Sequence, residues 1–149
     1  MDELNRATSF KFVHGTWDIA ISGDIIKLGH VEVTSVDLAR FLGASRQVVI
    51  LAATLGTGVD VLLQRLMYTD MAEAVLIDSL ASKLIEEFVN KVQSDMGIVG
   101  KRYSPGYGDF DIKHQKDILT MLKSETIGLY MTDSYMLLPS KSITAILRK

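Results

Sequence analysis

Lys101-Arg102-Tyr103-Ser104-Pro105-Gly106-Tyr107-Gly108-Asp109-Phe110-Asp111-Ile112-Lys113-His114-Gln115-Lys116 is the stretch around which the chain is organised. It holds one of only two prolines, Pro105; the other is Pro139. Pro105-Gly106 sets a sharp turn, and Gly106 and Gly108 leave backbone N–H groups open to a close-approaching ligand. Arg102 adds a fixed cation, and Tyr103, Tyr107 and Phe110 add flat surfaces. Placed between two helical patterns, this composition predicts a loop that binds a small molecule or a partner.

Upstream of the loop lies the clearest element of the chain. Ile77, Leu80, Ala81, Leu84, Ile85, Phe88 and Val92 recur at helical spacing, so a helix runs from a cap at Thr69 to about Ser94. At ~100° per residue Glu86 falls nearly opposite the centre of that stripe, with Ser79, Ser82 and Asn90. Glu86 reads as a solvated face, and Glu87 as a surface ion pair with Lys83 or Lys91. Before this helix, Val48 to Ala53 is a continuous apolar run, as in a strand buried on both faces. Gly56-Thr57-Gly58 then opens a helix from about Val59 to Met67. That order fits a nucleotide-binding turn weakly, because Val61 stands where a third glycine belongs; a plain tight turn fits as well.

Closer to the N-terminus, Met1 to Ser9 is expected to fray. Phe10–Val13 and Trp17–Ile21 read as strands separated by Gly15-Thr16, Ser22-Gly23-Asp24 as a turn, and Ile25–Leu28 and His30–Val33 as strands around Gly29. Ser35 caps a helix over Val36–Leu42 that stops at Gly43. Downstream of the loop, Ile112–Leu122 reads as a helix. Thr126–Thr132 reads as a strand, Met136 to Pro139 as a short apolar segment, and Ser142–Leu147 as a final strand. Strands come first and last with long helices between. The expected fold is therefore α+β, a single domain over residues 1–149 with an antiparallel sheet packed against long helices.

Several function classes are set aside by composition. A net charge of −2 leaves no basic footprint for nucleic acid. The absence of cysteine removes disulfides, thiolate catalysis and cysteine-ligated metals, and fits a cytoplasmic setting. No apolar run approaches ~18 residues, so no membrane span is expected, and the polar start carries no readable signal peptide. His14, His30 and His114 lack partners at metal spacing, and Asp109 with Asp111 lacks a third oxygen ligand, so no metal site is expected. No hydrolase elbow or Walker A motif occurs. What remains is a binding loop with one arginine, facing a helix that carries carboxylates.

At Arg102-Tyr-Ser-Pro-Gly-Tyr-Gly-Asp-Phe110 the chain resembles the activation domain of vitamin-B12-dependent methionine synthase, in its small stand-alone form. The resemblance extends to Leu51-Ala-Ala-Thr-Leu-Gly56, to Ala72–Glu86, and to Ile127–Ala145, covering roughly Val31 to Ile146. It implies S-adenosylmethionine binding and support for the reductive methylation of cob(II)alamin, with an electron from a flavodoxin-type donor. Arg102 would pair with the ligand carboxylate. Ser104, Gly106 and Tyr107 would supply backbone contacts and an aromatic wall. Glu86 would favour the ligand's ammonium or sulfonium. No catalytic side chain is implied: the protein would position ligand and cofactor within a methyltransferase system rather than act as a complete enzyme. The chain ends three residues after Ile146, where the full domain continues, so ligand contacts from that region have no counterpart. Asp111-Ile-Lys-His114 has the wrong spacing for a cobalamin-ligating Asp-x-His-x-x-Gly. The resemblance therefore places cobalamin on a partner, a methionine synthase or related corrinoid protein. The alternative is a non-catalytic module that caps or escorts such a protein without holding the methyl donor.

Overall fold

The apolar run near the middle of the chain, strand β4 (Gln47–Thr54), organises the fold seen in a computed structural model describing residues 2–149. Its side chains are buried on both faces, as its uninterrupted hydrophobicity requires. Val49, Leu51 and Ala53 point into one core with α1 (Asp2–Ala7), α3 (Thr57–Thr69) and α4 (Met71–Asp95). Val48, Ile50 and Ala52 point into a second core with α2 (Val36–Leu42) and α5 (Gln115–Leu122). The sheet that divides the two cores is antiparallel throughout, in the order β3-β2-β1-β4-β7. It is built from β1 (Lys11–Ser22), β2 (Ile25–Leu28), β3 (Val31–Thr34), β4 and β7 (Ser142–Arg148). The expected single-domain α+β architecture is thus the one observed.

Four local expectations are corrected. Met1 lies outside the described residues, but the rest of the segment expected to fray forms α1, whose Leu4 is only 1% exposed against α3. Gly56 and Gly58 serve that contact: a Cβ at Gly58 would run into the Ala7 carbonyl, and one at Gly56 would press on Ser9. The Gly-x-Gly pair therefore makes room for the N-terminal segment, not for a phosphate. Gly15-Thr16 does not separate a pair of strands, because β1 runs unbroken through it. The Trp17 ring lies across Gly15, where a Cβ would meet it at 2.7 Å. The cap of α4 is Asp70, which accepts from Glu73 N at 3.2 Å, while the Thr69 hydroxyl turns back to the Arg65 carbonyl.

The fourth correction concerns Thr126–Thr132. Only β5 (Tyr130–Met131) is strand, in a hairpin with β6 (Leu137–Leu138). The segment before it is a 3-10 turn over Ser124–Ile127. The Ser124 hydroxyl donates to the Leu129 carbonyl (2.8 Å) and Gly128 adopts a positive φ, which closes the turn before a ladder can begin. After Pro139 the chain is tied to the helices by its own polar groups. Ser140 N donates to Asp60 (2.9 Å), and the Lys141 ammonium donates to Asp78 and Ser82 (both 2.8 Å).

The loop after α4 is held by a reciprocal clasp. Asp109 accepts from the Ser35 hydroxyl (2.5 Å), Val36 N (2.9 Å) and Asp37 N (3.0 Å), so it satisfies the open amides at the start of α2. Asp109 N in turn donates to the Asp37 carboxylate at 2.9 Å. The Ser35 hydroxyl, above all, and these amides hold the Asp109 carboxyl below its ordinary 3.8. Gly108 is required at this point, since a Cβ there would strike Asp37. Asp111 caps the following 3-10 turn, Ile112–His114, through Lys113 N, and its carboxyl is lowered mainly by that bond. Phe110, between the two aspartates, is fully buried.

Two outcomes check this account. Leu4→Ala should cost about 2–5 kcal/mol in urea unfolding, whereas a frayed segment would give no change. Asp109→Asn should lower the unfolding midpoint at neutral pH. A depressed carboxyl stabilises the fold above its unfolded value and loses that contribution as pH falls through the folded one. The gap between wild type and Asp109→Asn should therefore close as pH drops below 3.8. A gap that stays constant down to strong acid would show that the clasp does not depend on the charge.

Candidate functional site

The arginine of the loop is received by one face of α4. Glu86, Asn90 and Gln93 stand at i, i+4 and i+7, a spacing that lines up side chains along a helix. Arg102 Nη2 donates to Glu86 Oε2 at 2.6 Å, and Nη1 donates to Asn90 Oδ1 at 2.7 Å and to Gln93 Oε1 at 3.3 Å. Gln93 is buried and donates through Nε2 to the Gly100 carbonyl (2.8 Å), so it fixes both the arginine and the backbone leading into it. The Arg102 side chain is 19% exposed and that of Glu86 57%. The pair sits at the surface, with the cation sunk and the carboxylate open to solvent. Among the described residues no hydrogen bond forms at Arg102 Nε, so some of the guanidinium fork is free for another acceptor. A shallow groove of about 340 Å3, lined by Asn90, Gln93, Gly97, Gly100 and Arg102, opens beside it.

The rest of the loop lies along the outer edge of β7. Tyr103 exchanges backbone hydrogen bonds with Ile146 (3.0 and 2.6 Å), and the Ser104 hydroxyl donates to the Thr144 carbonyl (2.6 Å). The chain then folds on itself: Tyr107 N donates to Ser104 O (3.1 Å), Gly106 N to Phe110 O (2.7 Å) and Phe110 N to Tyr107 O (2.9 Å). The Gly106 amide, expected to be open to a ligand, is thus used inside the loop. Its positive φ of 95° explains the glycine. Tyr107 projects with 53% of its surface exposed and meets Tyr103 edge-on at 5.5 Å. Tyr103 also packs on Phe41 and Phe110, and His114 stacks on Phe110 while its Nδ1 pairs with Asp117 (2.9 Å). Burial, with the Asp37 and Asp109 carboxylates adding to it, pushes the Tyr103 phenol up, so it stays neutral and packs as an aromatic wall.

The expected site residues therefore fall into two groups. Glu86 and Arg102 are brought into direct contact. Ser104, Gly106 and Tyr107 form the adjoining loop, and among the described residues no hydrogen bond joins them to Glu86 or Arg102. Sequence reasoning missed Asn90 and Gln93 as partners of Arg102, although the 86-90-93 spacing is there to be read. It also missed Asp37 as the clasp that places Gly108 and Asp109. A larger groove of about 580 Å3 between α3 and α4 has Leu63, Met67, Met71 and Val75 in its wall. Its carboxylates are already committed, Asp60 to Ser140 and Asp78 to Lys141. Among the described residues no group of three or more His, Asp or Glu side chains is placed to hold a metal ion, and no helix is long and apolar enough to cross a membrane.

No family model matches the sequence, and no curated protein matches it. Among solved structures the chain is similar to a crystal structure of the MetH reactivation domain bound to AdoHcy, with a TM-score of 0.77 and 16% sequence identity. The likeness covers 97% of this chain and 59% of that one, so the chain spans under two thirds of the structure it matches. At that identity the comparison speaks for architecture alone: the chain has the fold of the MetH reactivation domain.

Proposed function

We propose that the chain binds S-adenosylmethionine and acts as a reactivation subunit, supporting reductive methylation of cob(II)alamin on a cobalamin-dependent methionine synthase or related corrinoid protein of the cytoplasm. The observation that carries this reading is the fold shared with a MetH reactivation domain whose structure holds AdoHcy. The Arg102–Glu86 pair adds chemical support. The amino-acid end of the ligand carries a carboxylate and an ammonium, and the site offers a guanidinium and a carboxylate 2.6 Å apart. Insertion of the ligand exchanges one internal ion pair for two intermolecular ones. No charge is left unpaired, and the free donor of the Arg102 fork gives the incoming carboxylate a first foothold. Tyr107, exposed beside Ser104 and Gly106, supplies a flat surface for the adenine or ribose.

Cobalamin, carried by the partner, supplies the cobalt centre that receives the methyl group, and a flavodoxin-type donor supplies the electron. This chain's residues bind and orient the methyl donor. None would be required to move a proton, because a methyl group leaving a sulfonium takes no proton with it. The chain is on this reading a component of a methyltransferase system.

One observation favours a second reading. Both Nη atoms of Arg102 are already held by Glu86, Asn90 and Gln93, as in a structural ion pair that keeps the loop on α4. The chain would then cap or escort a corrinoid protein without taking the methyl donor.

Calorimetry with S-adenosylmethionine and S-adenosylhomocysteine separates the two. Reactivation predicts saturable binding of both, weakened about 10- to 100-fold in Arg102→Ala, as expected for loss of ~1.5–3 kcal/mol of charge-assisted hydrogen bonding. Absence of heat with the wild type, together with recovery of a corrinoid protein in a pull-down, would establish the capping role instead. Binding that is unchanged in Arg102→Ala would remove Arg102 from the site.

A further inference from the structure

Strand β1 is longer than the partners on one of its sides. Against β4 it pairs over Lys11–Asp18, but against β2 only over Ile19–Ser22, with one further bond from Gly29 N to Asp18 O at 3.2 Å. Among the described residues no strand pairs with the β2 side of β1 over Lys11–Trp17. The parity of the ladder says which residues face the gap. Ile19 N bonds to Arg46 O on the β4 side, and antiparallel bonding alternates, so Lys11, Val13, Gly15 and Trp17 also bond toward β4. Phe12, His14 and Thr16 therefore direct both their N–H and C=O groups outward. Among the described residues none of these six groups has a hydrogen-bond partner, and all three side chains are exposed. None of the usual protections of an open edge, a proline, a bulge or an inward charge, interrupts this segment.

Beside the open edge is an aromatic cleft of about 530 Å3 between β1 and α4. Phe10 and Phe12 stand 48% and 44% exposed there, and both rings meet Phe88 of α4, at 4.7 and 6.0 Å. His14 stacks on Phe12 at 5.9 Å. Phe12 and His14 belong to both edge and cleft.

The geometry points to a second copy of this chain as the occupant, through antiparallel β1–β1 pairing about a two-fold axis at His14. The open segment is symmetric about that residue. Pairing Phe12 with Thr16 of the second copy, His14 with His14, and Thr16 with Phe12 uses every open group. It gives two hydrogen bonds at each of three pairs, about six in all. Shifting the register by two residues would set Asp18 against Phe12, but the Asp18 carbonyl is already taken by Gly29. Two of the three cross-strand pairs set Phe12 against Thr16, aromatic against β-branched, which is favourable, and the central pair sets one His14 ring beside the other. Charge agrees with a self-complementary surface. Glu87 and Asp95 line the cleft together with Lys91, so acid and base are both present on the surface that would meet its copy. No single sign is present to select a strongly charged partner. Pairing of this kind joins two five-stranded sheets into one continuous sheet and covers the aromatic cleft on both sides of the axis.

Sedimentation measured over a concentration series tests this on the intact chain. The mass is expected to rise with concentration from 16.5 kDa to twice that value. Hydrogen exchange over the same series should show protection growing at the Phe12, His14 and Thr16 amides, with the Lys11, Val13 and Gly15 amides unchanged. Phe12→Lys should keep the chain monomeric by placing a charge on the edge. His14→Pro should do so by removing an outward N–H while leaving the β4 ladder intact. Circular dichroism shows whether each variant is folded, and one folded variant is sufficient for the comparison. A mass that stays at 16.5 kDa at every concentration overturns the proposal. So does a dimer that persists in a folded variant, or exchange at the three outward amides that does not respond to concentration.

Discussion

Burial of β4 on both faces is the constraint on which the rest of the structure depends. A strand with apolar side chains up and down must be covered twice, and helices from both ends of the chain are recruited to do it. The N-terminal helix, α3 and α4 close one side, while α2 and α5 close the other. β7 repeats the arrangement: Ala145 and Leu147 enter the first core and Ile146 the second. The loop with Arg102 must pass from α4, on one side, to α5, on the other, so it crosses the outer edge of β7. Its position beside the last strand is a consequence of the two-sided core, and the bonds of Tyr103 and Ser104 to β7 satisfy backbone groups on both.

That crossing explains why the loop carries so much polar anchoring. Arg102 is fixed to α4 at the start, Tyr103 and Ser104 to β7 in the middle, and Asp109 to the start of α2 at the end. Only the tip from Gly106 to Gly108 projects beyond these anchors, and there Tyr107 is exposed. A loop held at both ends with a small free tip is ordered before any ligand arrives, which reduces the entropy that binding must overcome. The cost is that its arginine is not idle. Whatever binds there competes with Glu86 for the guanidinium, which favours a ligand that can satisfy the displaced carboxylate as well.

Much of this is legible in sequence where the chemistry is local. Ser35 and Gly43 bound α2, the continuous run 48–53 marks a two-sided strand, and Arg102 with Pro105-Gly106 marks the loop. What stays hidden depends on contacts distant in the chain. Nothing near Gly15 says that Trp17 will fold over it, and nothing near Gly58 says that Ala7 will press against it. The clasp made by Asp109 is not legible locally because its partners, Ser35 to Asp37, lie more than seventy residues away. The apolar stripe read from the sequence of α4 is also turned from the buried one. It includes Leu80, Leu84 and Phe88, which are only partly buried, whereas Ala74 and Val89 are in the core. At ~100° per residue the buried face is rotated by about 40° from the expected one. Glu86 is therefore a flank residue beside the core, not a residue opposite it, and that is why it can meet Arg102.

The same rotation assigns the two flanks of α4 to different tasks. Glu86, Asn90 and Gln93 lie on one side of the buried stripe, while Leu84, Phe88 and Lys91 lie on the other, the mean directions of the two groups being roughly 160° apart around the helix. The first flank holds the loop and the second closes the aromatic cleft along β1. Because a helix diameter and the core lie between them, occupation of one flank does not obstruct the other. A copy of the chain paired along β1 leaves Arg102, Ser104 and Tyr107 facing outward on each half. Two-fold association would then place the two Arg102 loops at the far ends of one continuous sheet.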